Sequence, residues 1–262
     1  MNINLSITDL LQVARTAALE AGSAIMQVYT SGSIDVSIKA DDSPLTQADR
    51  AAHTIISNYL TETGLPILSE EGAQTTFEER QQWPWYWLVD PLDGTKEFLK
   101  RNGEFTVNIA LMHQNKPVAG IVYAPVLGDL YFGSVATGVF KEVGGEKTPL
   151  MPLPKRRTWQ ELQQLSKLTI IASRTHQSPE TAEFIQRFPD ASISSMGSSL
   201  KFMLLAEGKA DLYPRFAPTM EWDTAAAHAI LNALNREIYQ QNLQHELDYN
   251  KPSLLNPNFI AF

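Results

Sequence analysis

From Tyr86 to Phe98 the chain reads YWLVDPLDGTKEF, an apolar run that ends in two aspartates three residues apart, with a proline between them and a Gly-Thr pair behind them. No other stretch restricts the backbone so tightly. Proline at 91 biases Asp90 towards extended backbone, which places Asp90 at the carboxyl end of a strand over WLV and Asp93 at the turn that follows. Gly94 and Thr95 then open a short helix through about Leu99, whose amino-terminal N–H groups and positive dipole end suit a phosphate. Two carboxylates beside an anion cradle imply a cation between them. Magnesium fits best, because it takes oxygen ligands in octahedral geometry and is commonly shared between carboxylates and a substrate phosphate.

Plainer readings fit the same residues. Asp93 can simply cap the helix while Asp90 terminates the strand, since such caps are common. An EF-hand loop fails on spacing, because Leu92 stands at the third ligand position and Gly94 at the fifth. A haloacid-dehalogenase phosphatase carries a similar acid pair after an apolar strand, but here one extra residue separates the acids and the motif lies well inside the chain.

The chain has no cysteine, so disulfides, thiolate zinc sites and cysteine nucleophiles are excluded. Any metal site is built from oxygen or imidazole. A formal charge of -8 and a pI near 5.2 argue against binding a nucleic-acid polymer, whose phosphates are held mainly by Lys and Arg. A small anionic substrate remains compatible, because carboxylates loaded with a divalent cation present a positive field. The amino-terminal stretch MNINLSITDLLQVARTAALEAG lacks a basic start and a long apolar run, and no segment approaches the roughly 20 apolar residues of a membrane span. The chain reads as cytoplasmic. Its sequence leaves open peripheral attachment to the cytoplasmic face of the inner membrane, and the oligomeric state.

Between Ile7 and Tyr29 the residues Leu10, Leu11, Ala14, Ala17, Ala18, Ala21, Ile25 and Val28 recur at steps of three and four, which predicts an amphipathic helix. IDVSIKA alternates, with Ile34, Val36 and Ile38 on one strand face, and the turn-rich DDSPLTQAD leads into a second helix over Gln47 to Leu60. LPILSEEG and WYWLVD read as buried strands ending in acid. The middle of the chain, rich in β-branched and aromatic residues punctuated by Gly, Pro and Asn, predicts an antiparallel meander. A linker is expected over Thr148 to Lys167, where three prolines and a basic cluster fall together. Beyond it LTIIASR and DLYPRF read as strands, and SPETAEFIQRF, SLKFMLLAEGKA and EWDTAAAHAILNAL as helices, an α/β alternation. The expected division is therefore an α+β part over residues 1–150 that carries the metal site, and an α/β part over 151–262.

SEEG at 69–72, DPLDGTKEF at 90–98 and EWDTAAAHAIL at 221–231 resemble, in order and spacing, the metal-binding signatures of the inositol monophosphatase superfamily, which are magnesium-dependent, lithium-sensitive phosphatases. Within that superfamily LTQAD, DPLDGTKEFLKRNGEFTVNIAL, GSSLKF and LYPRF are most similar to the bacterial CysQ-type 3'(2'),5'-bisphosphate nucleotidases. Lys-Glu-Phe after the threonine points to them, where inositol phosphatases tend to carry Thr-Asn-Phe. The resemblance implies a layered αβαβα sandwich with two or three magnesium ions per site. Glu70, Asp90 and the Leu92 carbonyl would hold one ion; Asp90, Asp93 and Asp223 would hold a second. Thr95, with Glu70 or the pair Thr46 and Asp49, would orient the attacking water, while Asp93, Gly94 and Thr95 would receive the phosphate.

It further implies hydrolysis of the 3'-phosphate of adenosine 3',5'-bisphosphate (PAP) to AMP, with the sulfated nucleotide PAPS as a further substrate, a reaction that clears the by-product of sulfate activation. Ser198, Lys201 and Arg215 would face the 5'-phosphate and His176 the ribose or base. A broader inositol or sugar phosphatase, and a nucleotide-binding protein without catalysis, are the competing readings. Residue by residue, Glu71 reads as a solvated neighbour of Glu70, Trp222 as packing and His228 as core or interface. His53, His113 and His245 lack metal-ligand spacing.

Overall fold

A computed structural model describes residues 6–31, 36–38, 44–172 and 178–262. Helix α1 (Ile7–Ser31) buries Leu10, Leu11, Ala14, Ala17, Ala18, Ala21 and Ile25 along the stripe that the periodicity marked out. Strands β1 (Val36–Ile38) and β2 (Pro44–Thr46) pair antiparallel. The segment read as a turn thus contributes a strand, and Ile34 lies outside the described residues. Thr46 then caps α2 (Gln47–Thr61) through a capping box: its Oγ1 accepts from the N–H groups of Ala48 and Asp49, and the Asp49 carboxylate accepts from the Thr46 N–H.

Strand β3 (Ile67–Ser69), the short helix α3 (Phe77–Arg80), β4 (Trp85–Asp93), helix α4 (Thr95–Leu99), β5 (Thr106–His113), β6 (Lys116–Ala124), β7 (Asp129–Ser134), β8 (Gly138–Val143) and β9 (Glu146–Leu150) complete the first part. The seven strands form one sheet in sequence order. β3 pairs parallel to β4, and each later neighbour pairs antiparallel, which is the expected meander. Thr148 to Leu150 finish β9, so the expected linker begins later than its prolines suggested, and it holds helix α5 (Trp159–Gln163).

Next come β10 (Thr169–Ile171), α6 (Pro179–Gln186), β11 (Ser192–Ser194), α7 (Leu200–Ala206), β12 (Tyr213–Arg215), α8 (Glu221–Ala233), β13 (Ile238–Gln240) and β14 (Phe259–Ala261). β14 lies between β12 and β13, antiparallel to both. β11, β13 and β14 were not read from the sequence, because strands of three residues carry too little alternation to stand out.

Three apolar clusters define the layers. α1 and α2 pack on one face of the seven-stranded sheet, through Val107, Ile109 and Ile121. The other face meets α7 and α8. β14 then alternates: Phe259 and Ala261 join the cluster under α8, whereas Ile260 and Phe262 join one with Leu162 of α5 and Phe184 of α6. The result is helix, sheet, helix, sheet, helix, the αβαβα sandwich that the resemblance implied. Among the described residues no helix is long and apolar enough to cross a membrane.

The approach of α8 to the sheet rests on one glycine. A Cβ on Gly120 of β6 would run into the backbone carbonyl of Ala226 in α8. Gly120→Ala is therefore expected to destabilise the fold by about 1–3 kcal/mol through overpacking, read as a lower urea midpoint with an unchanged m-value; an unchanged midpoint would show that α8 is not seated there.

Candidate active site

β3 and β4 run parallel with Ser69 beside Val89, so the next residues, Glu70 and Asp90, stand side by side at the strand ends. The Glu70 N–H donates to the Val89 carbonyl at 3.1 Å. The Glu70 carboxyl is close enough for its charge to act on Asp90. Asp93 needs a further device, because residues three apart on a regular strand point to opposite faces. β4 pairs Asp90 with Asn108 and Asp93 with Thr106, taking three steps where β5 takes two. This bulge at Pro91 and Leu92 turns Asp93 back towards Asp90. A bulge also tolerates the missing N–H of proline, so β4 continues through Pro91 to Asp93 instead of ending at Asp90.

The third aspartate arrives from the far half of the chain. Asp223 lies in the first turn of α8, where its carboxylate accepts from the Met220 N–H at 2.8 Å. Asp90, Asp93 and Asp223 each present an oxygen within 4.8 Å of the others. Burial first, and then the charges of Glu70, Asp93 and Asp223, push the Asp90 carboxyl well above its ordinary 3.8. Burial and the Asp93 charge raise Asp223 in the same way. No lysine or arginine among the described residues forms an ion pair with these three aspartates. An all-oxygen donor set of this charge, one member buried and two partly exposed, with no direct ion pair among the described residues, fits a hard divalent cation.

Thr95 begins α4, after Gly94 at a backbone φ of 94° that favours glycine. Its hydroxyl donates to Asp49 Oδ1 at 3.3 Å. The other oxygen of Asp49 receives the Thr46 N–H at 2.8 Å and the Thr46 hydroxyl at 2.5 Å. Asp49 therefore stands behind Thr95, outside the cleft lining, and accepts its hydroxyl proton, with Thr46 bonded to Asp49 in turn. His53, on the same helix, bonds Ser69 Oγ at 3.0 Å, one residue before Glu70.

Glu70, Asp90, Leu92, Asp93, Gly94, Thr95, Ser198, Lys201, Arg215 and Asp223 line a single cleft of about 420 Å³. Lys201 is only 8% exposed. Burial, together with the neighbouring Arg215 charge, lowers its ammonium group to about 8. Among the described residues its ammonium group has one hydrogen bond, a long one of 3.4 Å to the Met196 carbonyl. Arg215 Nε is buried without a hydrogen-bond partner among the described residues. Ser198 adopts φ 47° and spends its hydroxyl on the Asp93 carbonyl at 2.5 Å. His176 lies outside the described residues.

Sequence reasoning missed Thr106, Asn108 and Ser199, which all reach Asp93 Oδ2. Small polar residues in a strand and a serine next to one already singled out give no local signal. His228 is buried, bonding Tyr249 and Glu237 at 2.9 Å each. Glu237 and Glu246 are ion-paired with Arg156, so this second cluster of His and Glu is already supplied with cations.

The model of the inositol monophosphatase family matches residues 6–260. The chain belongs to that family. It is 46% identical over 246 residues to the 3'(2'),5'-bisphosphate nucleotidase CysQ of Salmonella typhimurium, covering 92% of this chain and 95% of that one. The crystal structure of CysQ from Bacteroides thetaiotaomicron superposes with a TM-score of 0.84 at 46% identity, covering 98% of each chain. The structure of 2'AMP-bound SaIMPase-II superposes with a TM-score of 0.75 at 25% identity, covering 97% of this chain and 88% of that one.

The buried carboxylates set the sign of the response to pH. A carboxyl raised above 3.8 in the folded state binds more protons folded than unfolded, so stability in EDTA falls as pH rises from about 4. A divalent cation is expected to reverse that slope. Asp90→Asn is expected to raise the thermal midpoint in EDTA by about 2–4 °C, the shift given by about 1 kcal/mol in a chain of this size, and to abolish the rise produced by metal. Thermal unfolding across pH, with and without metal, checks both.

Proposed function

We propose that this chain is a magnesium-dependent 3'(2'),5'-bisphosphate nucleotidase that hydrolyses the 3'-phosphate of adenosine 3',5'-bisphosphate to AMP and phosphate, with PAPS as a second substrate. One observation carries the substrate class: the cleft that gathers the aspartates also gathers Lys201 and Arg215, two cations with little hydrogen bonding of their own. A phosphomonoesterase for a singly phosphorylated substrate has no use for a second anion site. The CysQ nucleotidases that the chain resembles over nearly its whole length support the same reading.

Glu70, the Leu92 carbonyl and the three aspartates would hold magnesium, which would supply charge neutralisation at the phosphoryl oxygens and a lowered pKa for the attacking water. The chain's own residues do the rest. Thr95 accepts a hydrogen bond from the water, because its own proton is committed to Asp49, and Asp49 stands next in line to receive charge. The backbone N–H groups of Gly94 and Thr95 face the 3'-phosphate. Lys201 and Arg215, with the Ser198 backbone, hold the 5'-phosphate and fix the ester bond in line with the water. A guanidinium between Pro214 and Phe216 suits a planar, bidentate grip on phosphate.

Phosphate release from adenosine 3',5'-bisphosphate is expected to require magnesium, to stop in EDTA, and to exceed release from inositol 1-phosphate. Arg215→Ala and Lys201→Met are each expected to raise KM for the bisphosphate about 10- to 100-fold, the worth of a charged hydrogen bond, while leaving adenosine 3'-monophosphate nearly unaffected. Equal losses on both substrates would remove the 5'-phosphate site, and faster turnover of inositol phosphate would replace the substrate altogether.

The same site makes a prediction about pH. Lys201 is cationic below about 8 and neutral above it, so the KM ratio of bisphosphate to 3'-monophosphate should climb between about pH 7 and about pH 9. Lys201→Arg, which keeps its charge, should flatten that climb. A ratio independent of pH in the unaltered enzyme would mean that Lys201 does not carry the preference.

A further inference from the structure

We infer that Ser199 is a positioning residue that clamps the Asp93 carboxylate against α8, and so sets the separation of two metal-ligating aspartates that come from different halves of the chain. The inference rests on the metal-dependent reading above.

Ser199 is 1% exposed and immediately precedes α7. Its N–H donates to Asp93 Oδ2 at 2.8 Å, and its Oγ lies 2.9 Å from that same oxygen. The hydroxyl also lies 2.9 Å from the Asp223 backbone carbonyl and accepts the Asn108 side-chain N–H at 3.0 Å. The other donors to Asp93 Oδ2 are longer, Asn108 at 3.3 Å and Thr106 at 3.4 Å. Ser199 thus supplies both short contacts. It stands 106 residues from Asp93 and 24 from Asp223, and touches both.

Charge explains why such a clamp is needed. Asp93 is partly exposed, and Asp90 and Asp223 each feel its negative charge. Left to rotate, its carboxylate would swing away from those two towards water. Donors from Ser199 hold Oδ2 and leave Oδ1 with no protein donor among the described residues. A serine hydroxyl has one proton, so the Asp93 oxygen and the Asp223 carbonyl share it, while the N–H secures Asp93 whichever acceptor holds that proton. The adjacent Ser198 hydroxyl bonds the Asp93 carbonyl. The loop before α7 therefore grips Asp93 by main chain and side chain together.

The test is calorimetric titration of magnesium chloride into the metal-free protein without nucleotide. Ser199→Ala is expected to weaken magnesium binding about 10- to 100-fold, the usual effect of losing a partner that orients a ligand. Its thermal midpoint in EDTA should move by only about 2–4 °C, while the rise produced by metal shrinks. Ser199→Thr keeps both donors and should restore affinity. Should Ser199→Ala fail to fold, Asn108→Ala releases the Ser199 hydroxyl from a different strand and should weaken binding in the same direction, by less.

Magnesium affinity equal to the unaltered protein's in Ser199→Ala, or in Asn108→Ala where that variant stands in, overturns the inference. No magnesium binding by the unaltered protein overturns it together with the metal-dependent reading. Magnesium binding without nucleotide turnover overturns the substrate assignment alone, and the same titration still decides Ser199.

Discussion

Repulsion among Asp90, Asp93 and Asp223 is the constraint around which the rest of the molecule is arranged. These side chains share a space less than 5 Å across, partly out of water, with no ion-pairing lysine or arginine among the described residues. Left to itself such a cluster would spread or neutralise by taking up protons. The chain prevents spreading with three separate anchors: a parallel strand pair for Asp90, a bulge for Asp93 and a helix start for Asp223. Stability is given up here in return for a site that binds a divalent cation, a trade common at active sites.

Holding the anchors at a fixed separation requires a rigid sandwich. α8 carries Asp223 and seats its alanines against β6, where only glycine at 120 leaves room. Its first turn is tied further along the chain, because the buried Glu221 receives the N–H groups of Asn250 and Lys251, and Asn256 donates to the Met220 carbonyl and Thr224. A shift of α8 on the sheet would carry Asp223 with it. Packing between the layers is therefore part of the site, and the loop before α7 adds a direct link between the two halves through Ser199.

The same cleft also carries charges of the opposite sign, Lys201 and Arg215. Burial first, and then the Arg215 charge, lower the lysine, so an anion beside the two would favour its charged form. One set of residues therefore suits a cation and the other an anion, within one cleft. The pairing of those two cations arises from α7 and β12, which bring two residues from different elements to one cleft.

Much of this was legible in the sequence, and for physical reasons. Periodicity of three and four gave α1, because a helix must bury one stripe. The order of the acidic motifs gave the family, because the identity and spacing of motif residues are local to the chain. Proline at 91 was read as ending the strand, since chain-local reasoning cannot see the partner strand that accommodates a bulge. For the same reason Ser199, Asn108 and Thr106 went unread: their part depends on converging on one carboxylate oxygen across β5 and α7. The short β11, β13 and β14 exist only because neighbouring strands and apolar layers hold them. Residue chemistry, helix faces and ligand order thus belong to the sequence alone. Which way Asp93 points, how far it stands from Asp223, and that two cations line the same cleft were decided by the tertiary structure, because each depends on contacts between segments that the chain keeps far apart.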